Sequence, residues 1–431
     1  MRQAAGQKDP IEGVTVSSTH PITLELTTDP TDLGLDPSRL ERIDRHFERY
    51  VTDGRLAGWQ LAIMRDGRLA HVASRGHRDR EAARPVTDDT VWRIYSMTKP
   101  ITSAAALMLW EEGAFELKDP VSRFLPEFAD LRVWRSGSVT NPRLDPVRDP
   151  MEMWHLMTHT AGLTYGFMFA HPVDDLYRRA GFEWGVPHDS DLAGVCERLA
   201  RLPLLFQPGA EWNYSMSIDV LGRVLEVIEG RPLDEILRTR LFDPLGMVDT
   251  AFHADDARAE RLAMLYGAHP ASGLAIPLAA QAAAATRPPT ALLGGGGLVS
   301  TMADYLRFAE MLRRRGELDG VRLLSPRTVE YASANHLPGG RDLSEFGRPL
   351  FSETTFDGVG FGLLGSVTLD PVTAKVPGSV GEFGWGGAAS TTFWVDPAED
   401  LTCVFMTQLL PSSTHPIRSQ LKQLVTQALV D

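Results

Sequence analysis

Two β-hairpin signatures lie near opposite ends of this chain, and neither can be stable alone. The first, "GWQLAIMRDGRLAHVASRG" at 58–76, joins two β-rich runs through Asp66-Gly67, a pair suited to a tight turn. The second, "ASTTFWVDPAEDLTCVFMTQ" at 389–408, places its turn in "DPAED". An isolated two-stranded hairpin is marginal in water and needs further strands or a packed helix. Between the two hairpins the texture is mostly helical. The economical assembly is one antiparallel sheet built from both chain ends, flanked by helices, with a mainly helical insertion. This defines an α/β (α+β) fold.

Helical periodicity and capping residues fill in the rest. "LDPSRLERIDRHFERYVTDG" predicts a helix over 37–51, opened by Asp-Pro and closed by Gly. Another helix is expected from Ser96 to just before Gly113. "STMADYLRFAEMLRRRG" reads as a helix capped by Ser300 or Thr301, and a last helix is expected over about 417–429. From about 120 to 290 Pro-bounded helical segments and long loops dominate, with few strands. The expected organisation is an N-terminal arm over 1–35, an α/β domain over 36–120 and 290–431, and a helical domain over 121–289.

Composition limits the function classes. A net charge of −13 disfavours nucleic-acid and anionic membrane surfaces. No apolar run approaches the 18 residues of a membrane span, and the first 30 residues hold no signal-peptide core. Cys196 and Cys403 lie far apart in apolar surroundings, so no disulfide framework is expected. These features together predict a soluble, cytoplasmic protein.

The chemistry centres on "RIYSMTKPITSAAALMLWEEG" at 93–113. Lysine occurs only at positions 8, 99, 118, 375 and 422, and every other basic side chain is Arg. Arg cannot give up its proton in a protein, whereas Lys can. Ser96 and Lys99 are three apart at a helix start and share a face. Pro100 fits the first turn, where its missing N–H costs little. The serine oxygen then sits at the positive end of a helix dipole, a setting that favours a developing oxyanion. Ser-x-x-Lys alone is a weak signal. Tyr214, in "QPGAEWNYSMSIDVLGRVLE", lies at a loop–helix junction, a place that also suits ordinary packing. In "EFGWGGAASTTFW" the glycines Gly386 and Gly387 lead into a strand and permit close approach of a ligand, or a bulge.

Other patterns fail on inspection. No Gly-x-Ser-x-Gly elbow surrounds any serine. His155 and His159 have metal-chelating spacing but lack the adjacent Glu and a third ligand, so packing and capping are expected of them. The Gly294–Gly297 run has no following Lys-Ser or Lys-Thr and is not a phosphate loop; backbone passing close to a site floor is expected there.

Taken in order, Ser96-Met97-Thr98-Lys99, Tyr214 and Trp385-Gly386-Gly387 resemble the serine-reactive β-lactamase and penicillin-binding-protein superfamily. The nearest likeness is to the class C-like family VIII carboxylesterases. "LMTHTAGL" at 156–163, "FQPGAEWNYS" at 206–215 and "GGGGLVSTMADYLRFAEML" at 294–312 extend it over roughly residues 36–430. The resemblance implies an acyl-enzyme on Ser96 and an oxyanion hole from the backbone N–H groups of Ser96 and Ala388. It leaves two bases open: Tyr214 with its pKa lowered by Lys99, or neutral Lys99 itself. It implies substrate contacts at Met216, Trp385, Gly386 and Gly387, no cofactor and no metal. Two departures matter. Tyr214-Ser215-Met216 lacks the amide of Tyr-x-Asn, and Trp385-Gly386-Gly387 lacks the cation of Lys-Thr-Gly. Both shift the expectation toward small or medium neutral esters as substrate. A β-lactamase, D-amino-acid peptidase, amide hydrolase or acyltransferase are the alternatives.

Overall fold

The computed structural model describes residues 24–26 and 28–431, so most of the expected N-terminal arm lies outside the described residues. Asp36 opens the first helix, α1 (Pro37–Thr52), by accepting from the amides of Ser38 at 2.8 Å and Arg39 at 3.2 Å. Pro37 takes the first helical position, where no amide donor is missed. Leu40, Ile43, Phe47 and Tyr50 recur at helical spacing and are buried together.

Eight strands form the main sheet: β1 (Gly58–Arg65), β2 (Arg68–Asp79), β3 (Arg84–Pro85), β4 (Val359–Phe361), β5 (Ser366–Thr368), β6 (Phe383–Gly386), β7 (Thr392–Asp396) and β8 (Leu401–Thr407). Their order is β4-β5-β6-β7-β8-β1-β2-β3, and every neighbouring pair is antiparallel. The joint between the two chain ends is β1 with β8, where Trp59 faces Thr407 and Arg65 faces Leu401. Each hairpin is thus completed by the other, as their incompleteness required.

Alternation along these central strands divides the core in two. Trp59, Leu61, Ile63, Cys403 and Phe405 pack with α1 and the last helix, α5 (Ile417–Thr426). Ala62, Met64, Phe393, Val404 and Met406 belong to the opposite core. There they meet α2 (Thr98–Glu111) and α4 (Met302–Arg313), with the Tyr305 and Phe393 rings 5.1 Å apart edge to face. The helix α3 (Ser217–Glu229) packs against α2 and belongs to this same core. Thr301, one of the two caps expected for α4, accepts from the Asp304 amide.

Two helix boundaries need correction. Helix α2 begins at Thr98, two residues after Ser96, because Tyr95–Met97 first form a 3₁₀ turn. The few strands of the segment 120–290 form two small hairpins: Arg132–Ser138 pairs with Asn141–Pro146, and Tyr266–Ala268 with Ala275–Pro277. The first of these hairpins is mostly exposed, so no burial selects an alternating pattern in its sequence. The final helix ends at Thr426, three residues early. Among the described residues no helix is long and apolar enough to cross a membrane.

Candidate active site

Ser96 occupies a turn that is pinned before and after it. Trp92-Arg93 pairs with Val299-Ser300, and the Ile94 amide donates to the Leu298 carbonyl at 3.1 Å. Beyond the serine, the Tyr305 hydroxyl donates to the Met97 carbonyl at 2.9 Å. Between these anchors Tyr95 takes φ 43°, a left-handed conformation that costs an aromatic residue about 1–3 kcal/mol. The turn runs directly into α2, which carries Lys99 on its first turn.

Lys99 is buried, with Nζ 3.2 Å from Ser96 Oγ. It also donates to the Gly295 carbonyl at 2.5 Å. Burial draws its pKa down to about 8, against the opposing pull of Asp219 and Glu353. Asp219, on the first turn of α3, accepts from the Gly295 amide at 2.8 Å. A Cβ on Gly295 would stand 2.6 Å from Asp219 Oδ2, so only glycine lets this loop reach both groups. The tetraglycine run therefore brings backbone to the lysine, as the close-passing role anticipated.

Tyr214 precedes α3 and is buried beneath a cage of rings. His159, Tyr165 and Trp385 meet it edge on with centroids 5.1, 5.4 and 5.4 Å away, and Lys99 Nζ lies 4.7 Å from its ring centre. Its hydroxyl completes no hydrogen bond, although Ser96 and Trp385 come near enough to favour the phenolate. Burial outweighs them, with Glu353 adding to it, and the phenol is driven well above its ordinary pKa. The expectation of a Tyr214 pKa lowered by Lys99 is thus reversed. The group brought toward neutral pH is the lysine.

Trp385 and Gly386 end strand β6, and Gly387 opens the turn to β7 rather than leading straight into a strand. That turn packs on the backbone of Ile94, two residues before Ser96: a Cβ on Gly387 would stand 2.4 Å from the Ile94 carbonyl oxygen. Among the described residues, neither the Ser96 nor the Ala388 amide is found donating a hydrogen bond to another protein group. Met216 is buried in the core at the start of α3.

The two histidines make packing and hydrogen-bonding contacts, with His159 against the Tyr214 ring. His155 Nδ1 accepts from the Glu152 amide at 2.9 Å, and His159 Nδ1 lies 3.1 Å from Ser215 Oγ. Burial holds both rings below the usual histidine pKa, His155 at about 4. Among the described residues no group of three or more His, Cys, Asp or Glu is arranged to hold a metal ion.

Sequence reasoning missed Asp219, Glu353 and Arg418. Asp219 was within reach, five residues after Tyr214 on the helix that follows it. Glu353 and Arg418 carry no local signature, since their meeting depends on the fold.

Comparison with known proteins gives consistent results. The family model described as Beta-lactamase matches residues 43–427. Esterase EstB of Burkholderia gladioli is 34% identical over 397 residues, covering 88% of this chain and 93% of the relative. Protein Rv1367c of Mycobacterium tuberculosis is 38% identical over 368 residues, covering 84% and 88%. Among solved structures, "EstCE1, a hydrolase with promiscuous acyltransferase activity" superposes with a TM-score of 0.75 at 29% identity, covering 91% of this chain and 99% of that one.

Proposed function

The chain belongs to the beta-lactamase family and is an enzyme of the serine-hydrolase type, and on that premise we propose that it hydrolyses small to medium neutral carboxylic esters through an acyl-enzyme on Ser96. The observation that carries this reading is the buried Lys99, 3.2 Å from Ser96 Oγ with its pKa drawn to about 8. With one N–H held by the Gly295 carbonyl, the lone pair of a neutral amine is free to face the serine. Neutral Lys99 takes the Ser96 proton as Oγ bonds to the ester carbonyl carbon. The oxyanion is met by the free amides of Ser96 and Ala388. Tyr214, kept as a neutral phenol, protonates the departing alkoxide and is reprotonated by the Lys99 ammonium. Water then cleaves the acyl-enzyme by the same proton route in reverse.

Two expected results test this. The neutral fraction of Lys99 grows as pH rises through about 8, so kcat/KM should climb nearly tenfold per unit below that point and level off above it. A flat profile between pH 6 and 9 would exclude neutral Lys99 as the base. In the second, p-nitrophenyl butyrate should be cleaved with kcat/KM about 100-fold or more above that for nitrocefin. Trp385 stands where a cation would meet a lactam carboxylate, and an unpaired desolvated carboxylate costs several kcal/mol. Nitrocefin turnover equal to that of the ester would promote the lactamase alternative.

The likeness to EstCE1 supports a second reading of the same intermediate, in which an alcohol replaces water as acyl acceptor. Butyl butyrate formed from p-nitrophenyl butyrate in the presence of 1-butanol would report it.

A further inference from the structure

The end of β6 holds a cation that the sequence did not reveal, and it is already occupied. Arg418, at the start of α5, lies over Gly386 so closely that a Cβ there would stand 2.2 Å from its Nη2. That nitrogen donates to the carbonyls of Gly387 at 3.0 Å and Thr391 at 3.1 Å. It also meets Glu353 Oε2 at 2.5 Å, while Nη1 donates to the Glu353 carbonyl at 2.9 Å. Ser412 Oγ donates to the same carboxylate oxygen at 2.9 Å. The Glu353 side chain is 1% exposed, so its charge is fixed in place and poorly screened.

This pair borders a cavity of about 230 Å³ that Trp385 also lines. Four buried polar atoms of its lining residues make no hydrogen bond among the described residues: Ser352 Oγ, Glu353 Oε1, Arg418 Nε and Trp385 Nε1. Trp385 is the shared wall, since its indole approaches the Tyr214 hydroxyl as well. The charge of Glu353 is felt at both Lys99 and Tyr214, which places it within electrostatic reach of the reacting groups.

We propose that Glu353 is a specificity-determining residue that occupies Arg418 in place of a substrate carboxylate, so that anionic esters are disfavoured relative to neutral ones. A substrate carboxylate arriving here finds the guanidinium neutralised by a fixed, buried carboxylate, and the other cation of the wall, Lys422, paired with Glu382. Like charges brought together in a partly dry site are strongly disfavoured. This inference rests on the esterase reading and adds to it the residue that sets substrate charge.

The test compares phenyl butyrate with two anionic analogues, monophenyl glutarate and 3-carboxyphenyl butyrate, which carry the carboxylate on the acyl and the alcohol side. In the wild type both anions should be the poorer substrates. Glu353→Gln should raise the anionic-to-neutral ratio of kcat/KM about tenfold or more for at least one of them. Adding Arg418→Met should cancel that gain, because the freed cation is then missing. Glu353→Ala provides the same comparison should the glutamine variant misfold. The proposal is overturned if the wild type cleaves both anionic esters as well as phenyl butyrate. It is equally overturned if the ratio does not move in a folded Glu353 variant, or if the gain survives Arg418→Met. Absence of any phenyl butyrate hydrolysis by the wild type would instead refute the esterase reading itself.

Discussion

Ser96→Ala should lower kcat for p-nitrophenyl butyrate by roughly 10,000-fold or more, to the level of the remaining members of the site. Among the described residues Ser96 supplies the hydroxyl that hydrogen-bonds to Lys99 Nζ, whose other hydrogen-bond partner is the Gly295 carbonyl. Lys99→Ala and Tyr214→Phe should each approach the same floor, and combining them with Ser96→Ala should add little. Groups that act as a unit lose their effect together. The three variants should differ in stability. Tyr214→Phe deletes a hydroxyl that makes no hydrogen bond, and its Tm should stay close to the wild type. Lys99→Ala removes the buried cation that favours the Asp219 carboxylate and leaves a cavity, so that variant should be the least stable of the three. Activity must therefore be expressed per folded molecule, with the native fraction of each variant taken from circular dichroism and its thermal melt. Retention of more than a few per cent of activity by Ser96→Ala would remove the nucleophile assignment.

Gly387→Ala is expected to have the second largest effect, and it acts on a group that no substitution can delete. The proposed oxyanion donors are the backbone amides of Ser96 and Ala388, so they can be displaced but not removed. A Cβ at 387 would stand 2.3 Å from Thr391 Oγ1 and 2.4 Å from the Ile94 carbonyl oxygen. The threonine can rotate aside. The carbonyl belongs to the anchored turn before Ser96 and cannot. The turn holding Ala388 must shift instead, and losing one such donor typically costs about 100- to 1,000-fold in kcat. Gly386→Ala provides the contrast, because the three atoms nearest its new Cβ all belong to the Arg418 guanidinium, a side-chain end that can give way where backbone cannot. Gly387→Ala should therefore lose far more kcat than Gly386→Ala, with KM changing less than kcat. A Gly387→Ala enzyme within tenfold of the wild type would show that this turn is not the oxyanion wall.

What could be read from the sequence had a local physical cause. Asp66-Gly67 dictates a tight turn whatever surrounds it, and alternation on either side names the buried face. Asp36 and Thr301 cap helices through bonds that span only two or three residues. The Ser96–Lys99 pair was legible because a step of three residues brings side chains onto one face in a 3₁₀ turn as well as in an α-helix. The reversal at Tyr214 has the opposite origin. Its pKa is set by how completely it is buried and by Glu353, more than a hundred positions away, and neither is written near "NYSMS". The Glu353–Arg418 pair is concealed for the same reason. From sequence, the missing lysine at 385 suggested no cation at all. The fold supplies one from α5 and neutralises it from another loop.

The pairing of β1 with β8 also sets a timetable for the newborn chain. Strand β1 ends at residue 65, and its partner begins at residue 401. At a ribosomal pace of about 5–20 residues per second, the first hairpin waits roughly 20 to 70 s for that partner. Through this interval one edge of β1 is unpaired, and Trp59, Leu61 and Ile63 lack the Phe405 and Cys403 surface that later covers them. The nucleophile turn and the glycine turn that packs on it are likewise made at opposite ends of translation. A nascent chain therefore carries its serine and lysine long before it can cradle an oxyanion. Its most vulnerable period is therefore spent with an adhesive strand edge, residues 58–65, still uncovered.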